Sequence, residues 1–458
     1  MSTPAARLPV RRGAIKTAQP MASVSTSPRT QSEMRERILV MSHAHPDFSL
    51  GGGELAAYTL FKAYREAAGV EDAWFLARAD RGHGATGSIS LRRPGEYLWE
   101  QAVHDWHRMK AAHQESLTTW FADLIERLRP TVVHTHHYAH FGLEYLRVIK
   151  QVSPETRIVM TLHEYMAICR HNGQMVKTGK FRLCHSSSAD DCAACFPGTS
   201  AEDFWLRKHY FQAHFDLVDQ FISPSEFLRQ RYIAWGLDPD RIVVIENGQS
   251  AEEALPARTL SRGERRNRFG FFGQINPFKG IDVLLEALTL MRPEERKTLR
   301  VEVHGANLES QSDEFQARIA ALREPLEAEG CLRWAGPYQP HEMRARMAGV
   351  DWVLVPSVWW ENSPMVIQEA FVLGRPLVVS NIGGMAEKVR DGIDGAHCAA
   401  GNPADWASTL LRLAGDARAW DNARSAIVRP LTHAECARTH LDLFEARLPD
   451  AALTRCSG

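Results

Sequence analysis

Neither sign of charge dominates this sequence, in which 54 Lys and Arg residues stand against 55 Asp and Glu residues, for a formal net charge of −1. Proteins that hold nucleic acid electrostatically usually carry a basic excess. The balance therefore excludes strongly basic nucleic-acid binders, and we expect no nucleic-acid partner. The 458 residues, 44% of them hydrophobic and 24% charged, instead indicate a globular chain long enough for two domains.

Long apolar runs are also missing. No stretch approaches the ~20 consecutive apolar residues that a membrane-spanning helix needs. The first 35 residues lack the apolar middle region of a secretory signal and carry no acid before Glu33, which indicates a disordered basic tail (residues 1–35) or, as the alternative, a transit peptide. These absences predict a cytoplasmic protein and leave open peripheral association with the inner face of the membrane.

The sequence has only eight cysteines. In the reducing compartment predicted above, we expect them to be thiols and not disulfides. Four of them are crowded into a polar insertion at residues 169–195 with the spacing C-x14-C-x7-C-x2-C, namely Cys169, Cys184, Cys192 and Cys195. A terminal C-x2-C is typical of half of a tetrahedral zinc site. We predict a structural zinc ion here, for which His185 could replace one thiol; four free thiols are the alternative.

What the sequence does contain is an alternation of β-rich apolar runs and helix-period stretches from Arg37 to about Leu413. This pattern is typical of parallel α/β units. It is lost at residues 251–267, which are rich in Arg, Glu and Ser, so we place a linker there. The predicted architecture is two Rossmann-like, doubly wound domains (36–250 and 268–419), followed by a helical tail (420–458) that packs back toward the first domain.

The most informative motif runs from Pro356 to Ala370 and carries two carboxylates eight positions apart, Glu361 and Glu369. A strand ends at Pro356, and Pro364 suits the first turn of the following helix. The free amides near Met365 and Val366 at that helix start can bind phosphate. Carboxylates accept hydrogen bonds from vicinal hydroxyls, so this arrangement suits a ribose and a sugar on either side of a diphosphate. The alternative is a capping loop followed by a surface glutamate.

This stretch resembles the E-x7-E motif of the retaining family 4 glycosyltransferases, which have the two-domain GT-B fold with a cleft between the domains. The resemblance extends from Arg37 to about Ala414. It implies that Glu369 holds the donor ribose, that Glu361 holds the transferred sugar, and that the anomeric configuration is retained. It also implies a nucleotide-sugar donor and a glycan, lipid-linked or small-molecule acceptor, in cell-surface polysaccharide or glycolipid assembly.

Two further segments of the second half are similar to donor-site segments of that family. Residues 273–280 resemble the G-R-x4-K-G loop whose cations neutralise the donor diphosphate; Lys279 matches, whereas Gln274 replaces the arginine and carries no charge. Gly383 and Gly384 fit a GGxxE segment beside the donor, where glycine permits close approach of backbone to ligand. A left-handed turn before a helix explains this glycine pair equally well.

In the first half, Gly51, Gly52 and Gly53 stand between a strand and a helix, where their amides can form an anion cradle. A dinucleotide-binding fingerprint is the alternative, but eight residues separate the strand from Gly51, whereas that fingerprint follows its strand directly. His163 lies in a segment that resembles the family's T-x-H-[DE], which implies a position near the transferred sugar. The residues His134 to His137 are interpreted as cleft wall.

These features together predict a glycosyltransferase that moves a sugar from a UDP- or GDP-sugar to an acceptor hydroxyl. We predict His163 and Glu361 as catalytic, and as donor-binding Gly51, Gly52, Gly53, Gln274, Lys279, Ser363, Met365, Val366, Glu369, Gly383 and Gly384. No D-x-D follows a strand at the donor site, since Asp238-Pro239-Asp240 lies in a turn, so we expect no metal requirement in catalysis. The alternatives are an NAD-dependent oxidoreductase and a non-catalytic nucleotide-sugar-binding protein.

Overall fold

The computed structural model of the protein describes residues 35–49, 51–80, 82–179 and 182–446. All of the predicted basic tail except Arg35, and residues 447–458 of the predicted helical tail, lie outside these ranges. The described chain contains two large, mainly parallel β-sheets, one in each half.

The first sheet has eight strands, and two short hairpins accompany it. In chain order the strands are β1 (Glu36–Ser42), β2 (Val70–Ala79), β3 (Ile89–Arg93), β4 (Glu96–Glu100), β5 (Val103–Asp105), β6 (Lys110–Ala111), β7 (Val132–Thr135), β8 (Arg157–Thr161), β9 (Val176–Lys177), β10 (Arg182–Leu183), β11 (Gln220–Ser223) and β12 (Ile242–Val244). The sheet order is β12-β11-β8-β7-β1-β2-β4-β3, with only the edge strand β3 antiparallel, while β5–β6 and β9–β10 form the hairpins.

The second sheet has six strands, all parallel. They are β13 (Arg268–Gln274), β14 (Arg300–Ala306), β15 (Leu332–Gly336), β16 (Trp352–Val355), β17 (Leu377–Ser380) and β18 (Gly395–Cys398), in the order β15-β14-β13-β16-β17-β18. Their chain order reverses direction between β13 and β16, and the first sheet reverses in the same way between β1 and β7. This is the doubly wound order, so the predicted fold class is confirmed.

Helices cover both faces of each sheet. The first half contributes α1 (Gly52–Glu66), α2 (Gln114–Ser116), a π-helical turn (Leu117–Phe121), α3 (Ala122–Leu128), α4 (Tyr145–Val152), α5 (Ala189–Cys195), α6 (Ala201–Phe215) and α7 (Glu226–Trp235). The second half contributes α8 (Ile281–Leu290), α9 (Pro293–Arg296), α10 (Asp313–Ala328), α11 (Met343–Ala348), α12 (Met365–Val372), α13 (Gly383–Lys388), α14 (Pro403–Gly415), α15 (Ala419–Ala426) and α16 (His433–Glu445). None of the helices in the described ranges is long and apolar enough to cross a bilayer.

The last two helices belong to different cores. Trp420 of α15 is buried with the apolar residues of the second sheet. In α16, by contrast, Cys436 and Phe444 share a core with Ile38 and Val40 of β1. The helix α16 packs along α1, so the chain passes from the second core back to the first before it ends its described part.

Three short 3₁₀ turns complete the described chain, at Pro239–Arg241, Pro277–Lys279 and Pro340–Glu342. In the first of them, the Asp238 carboxylate accepts a hydrogen bond of 3.0 Å from the Asp240 N–H. Asp238 therefore caps a turn, as expected from its place in the sequence.

Candidate active site

The two points at which the sheets reverse direction locate the candidate site. In open parallel sheets, ligands bind beyond the carboxyl ends of the strands at such a point. In the second sheet these ends lead into the loop of Lys279, after β13, and the loop of Glu361, after β16. In the first sheet they lead into the glycine loop, after β1, and His136, after β7.

Glu361 and Lys279 form a direct ion pair at the second-sheet reversal. The Glu361 Oε1 atom accepts hydrogen bonds from Lys279 Nζ (2.6 Å), Ser357 Oγ (2.8 Å) and Trp359 Nε1 (2.9 Å). Burial acts to raise the pKa of this buried carboxyl, but the charge and hydrogen bond of Lys279 outweigh it and the pKa is lowered. Glu361 is therefore an anion at neutral pH, held in one orientation.

Gly280 lets the Lys279 loop lie directly against the start of the Glu361 loop. Its φ is +67°, and a Cβ atom there would overlap the Pro356 carbonyl oxygen. The Val358 N–H donates to the Phe278 carbonyl at 2.9 Å, which joins the two loops. The glycine of the K-G pair is therefore required by the packing of these loops.

Glu369 lies in the second turn of α12 and is only half-buried. Its side chain makes no hydrogen bond or ion pair with the residues that the structure describes. Burial raises its pKa to about 7. Burial, and secondarily the charge of Glu369, also raises the pKa of the Tyr338 phenol. Glu361 and Glu369 thus differ: the first is paired and anionic, and the second titrates near neutrality.

Two helix starts meet across the cleft between the domains. The helix α12 begins at Met365 after Pro364, which occupies the N-cap; the prediction that Pro364 lies in the first turn is wrong by one position. The helix α1 begins at Gly52 after Gly51, and neither cap residue offers a side-chain hydrogen bond. A Cβ atom on Gly52 would lie 3.2 Å from the Met365 side chain. Two N-terminal dipoles therefore point toward the same space, which favours an anion.

His163 follows β8 on the first-domain wall. Its Nε2 lies 3.0 Å from His136 Nδ1, and its carbonyl accepts a hydrogen bond of 3.3 Å from Asn362 Nδ2 of the other domain. A Cβ atom on Gly53 would lie 3.7 Å from the His163 ring. Burial, and secondarily the charge of His43, lowers the pKa of His163 to about 4, so its imidazole is neutral at pH 7.

Three further residues predicted to bind the donor are Gln274, Ser363 and Val366. Gln274 is exposed at the end of β13, and its side chain makes no hydrogen bond within the described part of the chain. Ser363 Oγ accepts a hydrogen bond of 3.2 Å from Gln368 Nε2. Val366 lies beside Met365 in the first turn of α12. Among the described residues, neither the Gln274 nor the Ser363 side chain forms a hydrogen bond with Glu361.

Gly383 and Gly384 lie beneath the Glu361 loop. The Gly384 N–H donates to the Glu361 carbonyl at 2.7 Å, and a Cβ atom on Gly384 would lie 1.5 Å from the Asn362 carbonyl oxygen. Gly383 has a φ of +60°. The pair therefore supports the backbone of the acidic loop, and its contact with a donor stays a prediction.

The sequence interpretation missed several residues of this cleft. Glu54, buried in the first turn of α1, accepts a hydrogen bond of 2.6 Å from Ser49 Oγ and lies 3.3 Å from His43 Nε2. Burial opposes ionisation, but His43 and Ser49 lower the pKa of Glu54 to about 2. The position of His43, directly after β1, was the available signal. Asn362, which bridges the domains, lay inside the motif but was given no role.

The two domains are joined by polar contacts around the cleft. Glu387, at the end of the GGxxE segment, accepts hydrogen bonds from the N–H groups of Glu226 (2.8 Å) and Phe227 (2.7 Å) at the start of α7. Lys388 Nζ donates to the Pro224 carbonyl at 2.9 Å and pairs with Glu246 at 2.6 Å. The structure therefore describes the cleft in a closed arrangement.

The four cysteines of the insertion line one small cavity outside this cleft. In the described ranges, no group of three or more His, Cys, Asp or Glu side chains is already arranged to hold a metal ion. His185 does not join the thiols; its ring packs against Trp360. Zinc binding by these cysteines stays a prediction, whereas the idea that His185 replaces a thiol finds no support in its position.

Solved structures similar to this chain share its fold. One is the Anabaena protein Alr3699/HepE in complex with UDP and glucose (TM-score 0.60, 17% identity, covering 90% of this chain and 100% of that one). Another is sucrose-phosphate synthase from Thermosynechococcus elongatus (TM-score 0.63, 15% identity, covering 89% and 98%). At such identities the likeness establishes the architecture alone.

Similarity in sequence is local but more specific. D-inositol 3-phosphate glycosyltransferase of Salinispora arenicola is 30% identical over 204 residues, 44% of this chain and 45% of that protein. The protein of that name from Nocardia farcinica is 31% identical over 219 residues, 46% and 48% of the two chains. The chain thus matches about half the length of these curated relatives.

Two family models divide the chain between them. The model described as "Glycosyltransferase Family 4" matches residues 50–253, and the model described as "Glycosyl transferases group 1" matches residues 266–416. The first match covers the first sheet apart from β1, the second match covers the second sheet, and together they span more than half of the sequence. The chain belongs to the family 4 glycosyltransferases, with the GT-B architecture of two doubly wound domains.

Proposed function

We propose that this protein transfers a sugar from a nucleoside-diphosphate sugar to an acceptor hydroxyl in the cleft between its domains. One observation carries the proposal. The starts of α1 and α12, which have no side-chain cap, converge with Lys279 and Glu361 where the strand order of the two sheets reverses. Helix N-termini and a lysine favour a diphosphate. A carboxylate with free acceptor capacity, such as Glu369, favours the hydroxyls of a ribose.

In this proposal each group has a distinct task. The α1 and α12 amides and Lys279 stabilise the charge that develops on the departing diphosphate, without a required metal. Glu361, fixed by Ser357 and Trp359, orients the transferred sugar. Neutral His163, on the opposite wall, donates a hydrogen bond to a sugar hydroxyl, and this bond strengthens as the glycosidic link breaks.

The donor and acceptor classes are narrower proposals. The relative crystallised with UDP and glucose supports a UDP-sugar, with a GDP-sugar as the second candidate. Membership of the family supports retention of configuration and a role in surface polysaccharide or glycolipid assembly. We propose a cytoplasmic protein, in keeping with seven free cysteines among the described residues; a lipid-linked acceptor would bring it to the inner face of the membrane.

Incubation with a panel of UDP- and GDP-sugars tests the proposal through release of free nucleoside diphosphate. We expect release with one donor class, unchanged by EDTA, and loss of release in Glu361→Gln. NMR of the product anomeric proton tests retention. Donor binding without release of nucleoside diphosphate, whichever acceptor is supplied, would indicate a non-catalytic binding protein. Hydride transfer to NAD would instead support the oxidoreductase alternative, which the family assignment does not favour.

A further inference from the structure

The cysteine-rich insertion lies against the loop that carries Glu361. The Trp360 Nε1 donates a hydrogen bond of 2.9 Å to the Cys184 carbonyl, and the His185 ring meets the Trp360 ring edge-on at 5.1 Å. Arg231 lies over the same indole at 5.1 Å and donates to the His185 carbonyl. Trp360 is buried and directly precedes Glu361. The position of residues 184–185 is therefore coupled to the acidic loop.

Met175 and Val176 of the insertion are buried, but little apolar packing holds the rest of it, residues 182–195, in place. No side chain of α5 is buried, and β9–β10 pairs only two residues on each strand. The residues Cys169, Cys184, Cys192 and Cys195 all line one cavity of about 20 Å³, large enough for a single small ion or water. A segment that contacts the other domain through so few buried side chains needs another source of rigidity.

A buried cation lies beside the cavity. Arg207 is buried nearby, donates to the carbonyls of Met166 and Ala167, and has no carboxylate within ion-pair distance in the described part of the chain. The thiols of Cys169 and Cys192 act to raise the pKa of Arg207, which burial, the largest influence, lowers. A zinc tetrathiolate carries negative charge and would compensate this guanidinium.

Backbone donors face the first of the thiols. The backbone N–H groups of His171 and Met175 donate toward the Cys169 sulfur. Hydrogen bonds to a ligand sulfur are the outer-shell contacts that metal thiolates commonly have.

We propose that Cys169, Cys184, Cys192 and Cys195 bind one zinc ion, and that this ion fixes residues 184–185 against Trp360. The described sulfur atoms are not yet arranged around one point, so binding requires the thiols to turn between staggered χ1 rotamers toward the cavity. Each bound thiol loses its proton to solvent. The zinc is structural, and Trp360 is a positioning residue; this second step rests on the proposed function.

Metal analysis of untagged protein tests the zinc site directly. We expect about one zinc per chain in the wild type and in Cys331→Ser. Cys331 is a matched control because it is buried in the second domain, where its thiol donates to the Leu326 carbonyl. The double variant Cys192→Ser/Cys195→Ser should contain almost none. Because that variant could fail to fold, release of zinc from the wild type by a mercurial, followed with a chromogenic chelator, provides a second measurement. Absent zinc, bound iron, or disulfides among the four cysteines in folded wild type would overturn the proposal.

The coupling to Trp360 has its own test. We expect Trp360→Phe to keep full zinc and donor KM but to lower kcat by about three- to tenfold, since one hydrogen bond is lost. Partial chelation of the wild type should lower kcat in the same way, and added zinc should restore it. An unchanged kcat in both cases would overturn the coupling while leaving the zinc content as measured. A wild type without any transferase activity would instead count against the proposed function.

Discussion

Lys279 is engaged before any donor arrives. Its ammonium group donates a hydrogen bond to the Oε1 atom of Glu361. The same oxygen also accepts hydrogen bonds from Ser357 and Trp359. A diphosphate must therefore share this cation with a buried carboxylate, and Gln274, in the place of the family arginine, adds no charge. Lys279 is accordingly the principal side-chain cation of the proposed phosphate site.

We expect Lys279→Ala to weaken binding of the nucleoside diphosphate by roughly ten- to a hundredfold, since a charge-assisted hydrogen bond is lost. The affinity for the uncharged nucleoside should change little. Calorimetry with both ligands measures the difference, and Gln274→Arg is the matched gain-of-charge variant. Equal losses for the two ligands would mean that Lys279 acts through the fold of its loop.

The unpaired carboxyl of Glu369 gives donor binding a pH dependence. Its pKa is raised to about 7 by burial, so it is mainly protonated at pH 6 and ionised at pH 8. The ionised form accepts hydrogen bonds from both ribose hydroxyls, and the protonated form loses part of this capacity. Donor affinity should thus fall as the pH is lowered from 8 to 6. Titrations of Glu369→Gln, which should show weaker binding without this slope, provide the check.

At the residue scale, the sequence predicts which residues follow adjacent strands and so come close together, but it does not predict contacts that depend on the path of a loop. The approach of Lys279 to Glu361 follows from two loops that leave adjacent strands, and the approach of His163 to His136 follows in the same way. The pairing of His43 with Glu54 depends on how the glycine loop folds back. That path is set by packing and cannot be derived from spacing.

At the scale of elements, α13 supports the acidic loop through a glycine that tolerates no side chain. We expect Gly384→Ala to reduce soluble yield or displace the Glu361 loop, because the added Cβ would overlap the Asn362 carbonyl. Transferase activity should fall at least tenfold. Gly415→Ala is the control, since its Cβ would meet nothing within 4 Å. Equal activity in the two variants would contradict the packing argument.

The start of α7 is capped by a side chain from the other domain, Glu387. We expect Glu387→Ala to cost about 0.5–2 kcal/mol of stability, as the loss of a helix cap does, and also to weaken donor binding by loosening the closed cleft. Glu435→Ala removes comparable capping within α16 alone. It should lower the melting temperature similarly while leaving donor affinity unchanged. Unchanged donor affinity in both variants would remove Glu387 from domain closure.

The elements themselves were predictable where apolar runs are long. Strands β1, β8, β13 and β16 follow from such runs, whereas β3 to β6 were not predicted. The strand β3, at the edge of the sheet, exposes three residues in a row, Leu91, Arg92 and Arg93, and β18 is the short segment Gly395–Cys398. Their pairing comes from the neighbouring strand rather than from their own propensity.

For the molecule as a whole, a buried histidine cluster predicts acid sensitivity. Burial holds the pKa of His134, His136 and His137 well below 6.5, and that of His440 at about 4. The unfolded chain binds protons at these sites below pH 6.5, while in the folded chain the buried imidazoles stay neutral until well below that pH. Each site therefore lowers the free energy of unfolding by about 1.4 kcal/mol for every pH unit that the pH falls within this window.

Denaturant unfolding at pH 8, 6 and 5 measures this effect. We expect the free energy of unfolding to decrease as the pH falls below 6.5, because the buried histidines outnumber Glu369 and Glu164, whose pKa values, raised by burial to about 7 and about 8, act in the opposite direction. In His440→Asn, the slope of the free energy of unfolding against pH should correspond to the uptake of about one proton fewer on unfolding. A free energy that does not change down to pH 5 would contradict burial of the neutral cluster.

The return of α16 to the first domain has a consequence for synthesis. As the chain emerges from the ribosome, the first sheet is complete once β12 has appeared, but one side of its core is still uncovered. Cys436, Ala437, Leu441 and Phe444, which cover it, are made nearly 200 residues later. Until then the face that includes Phe61 stays open to water. The second domain can finish its own core first, so the half that is translated earlier is the half that matures last.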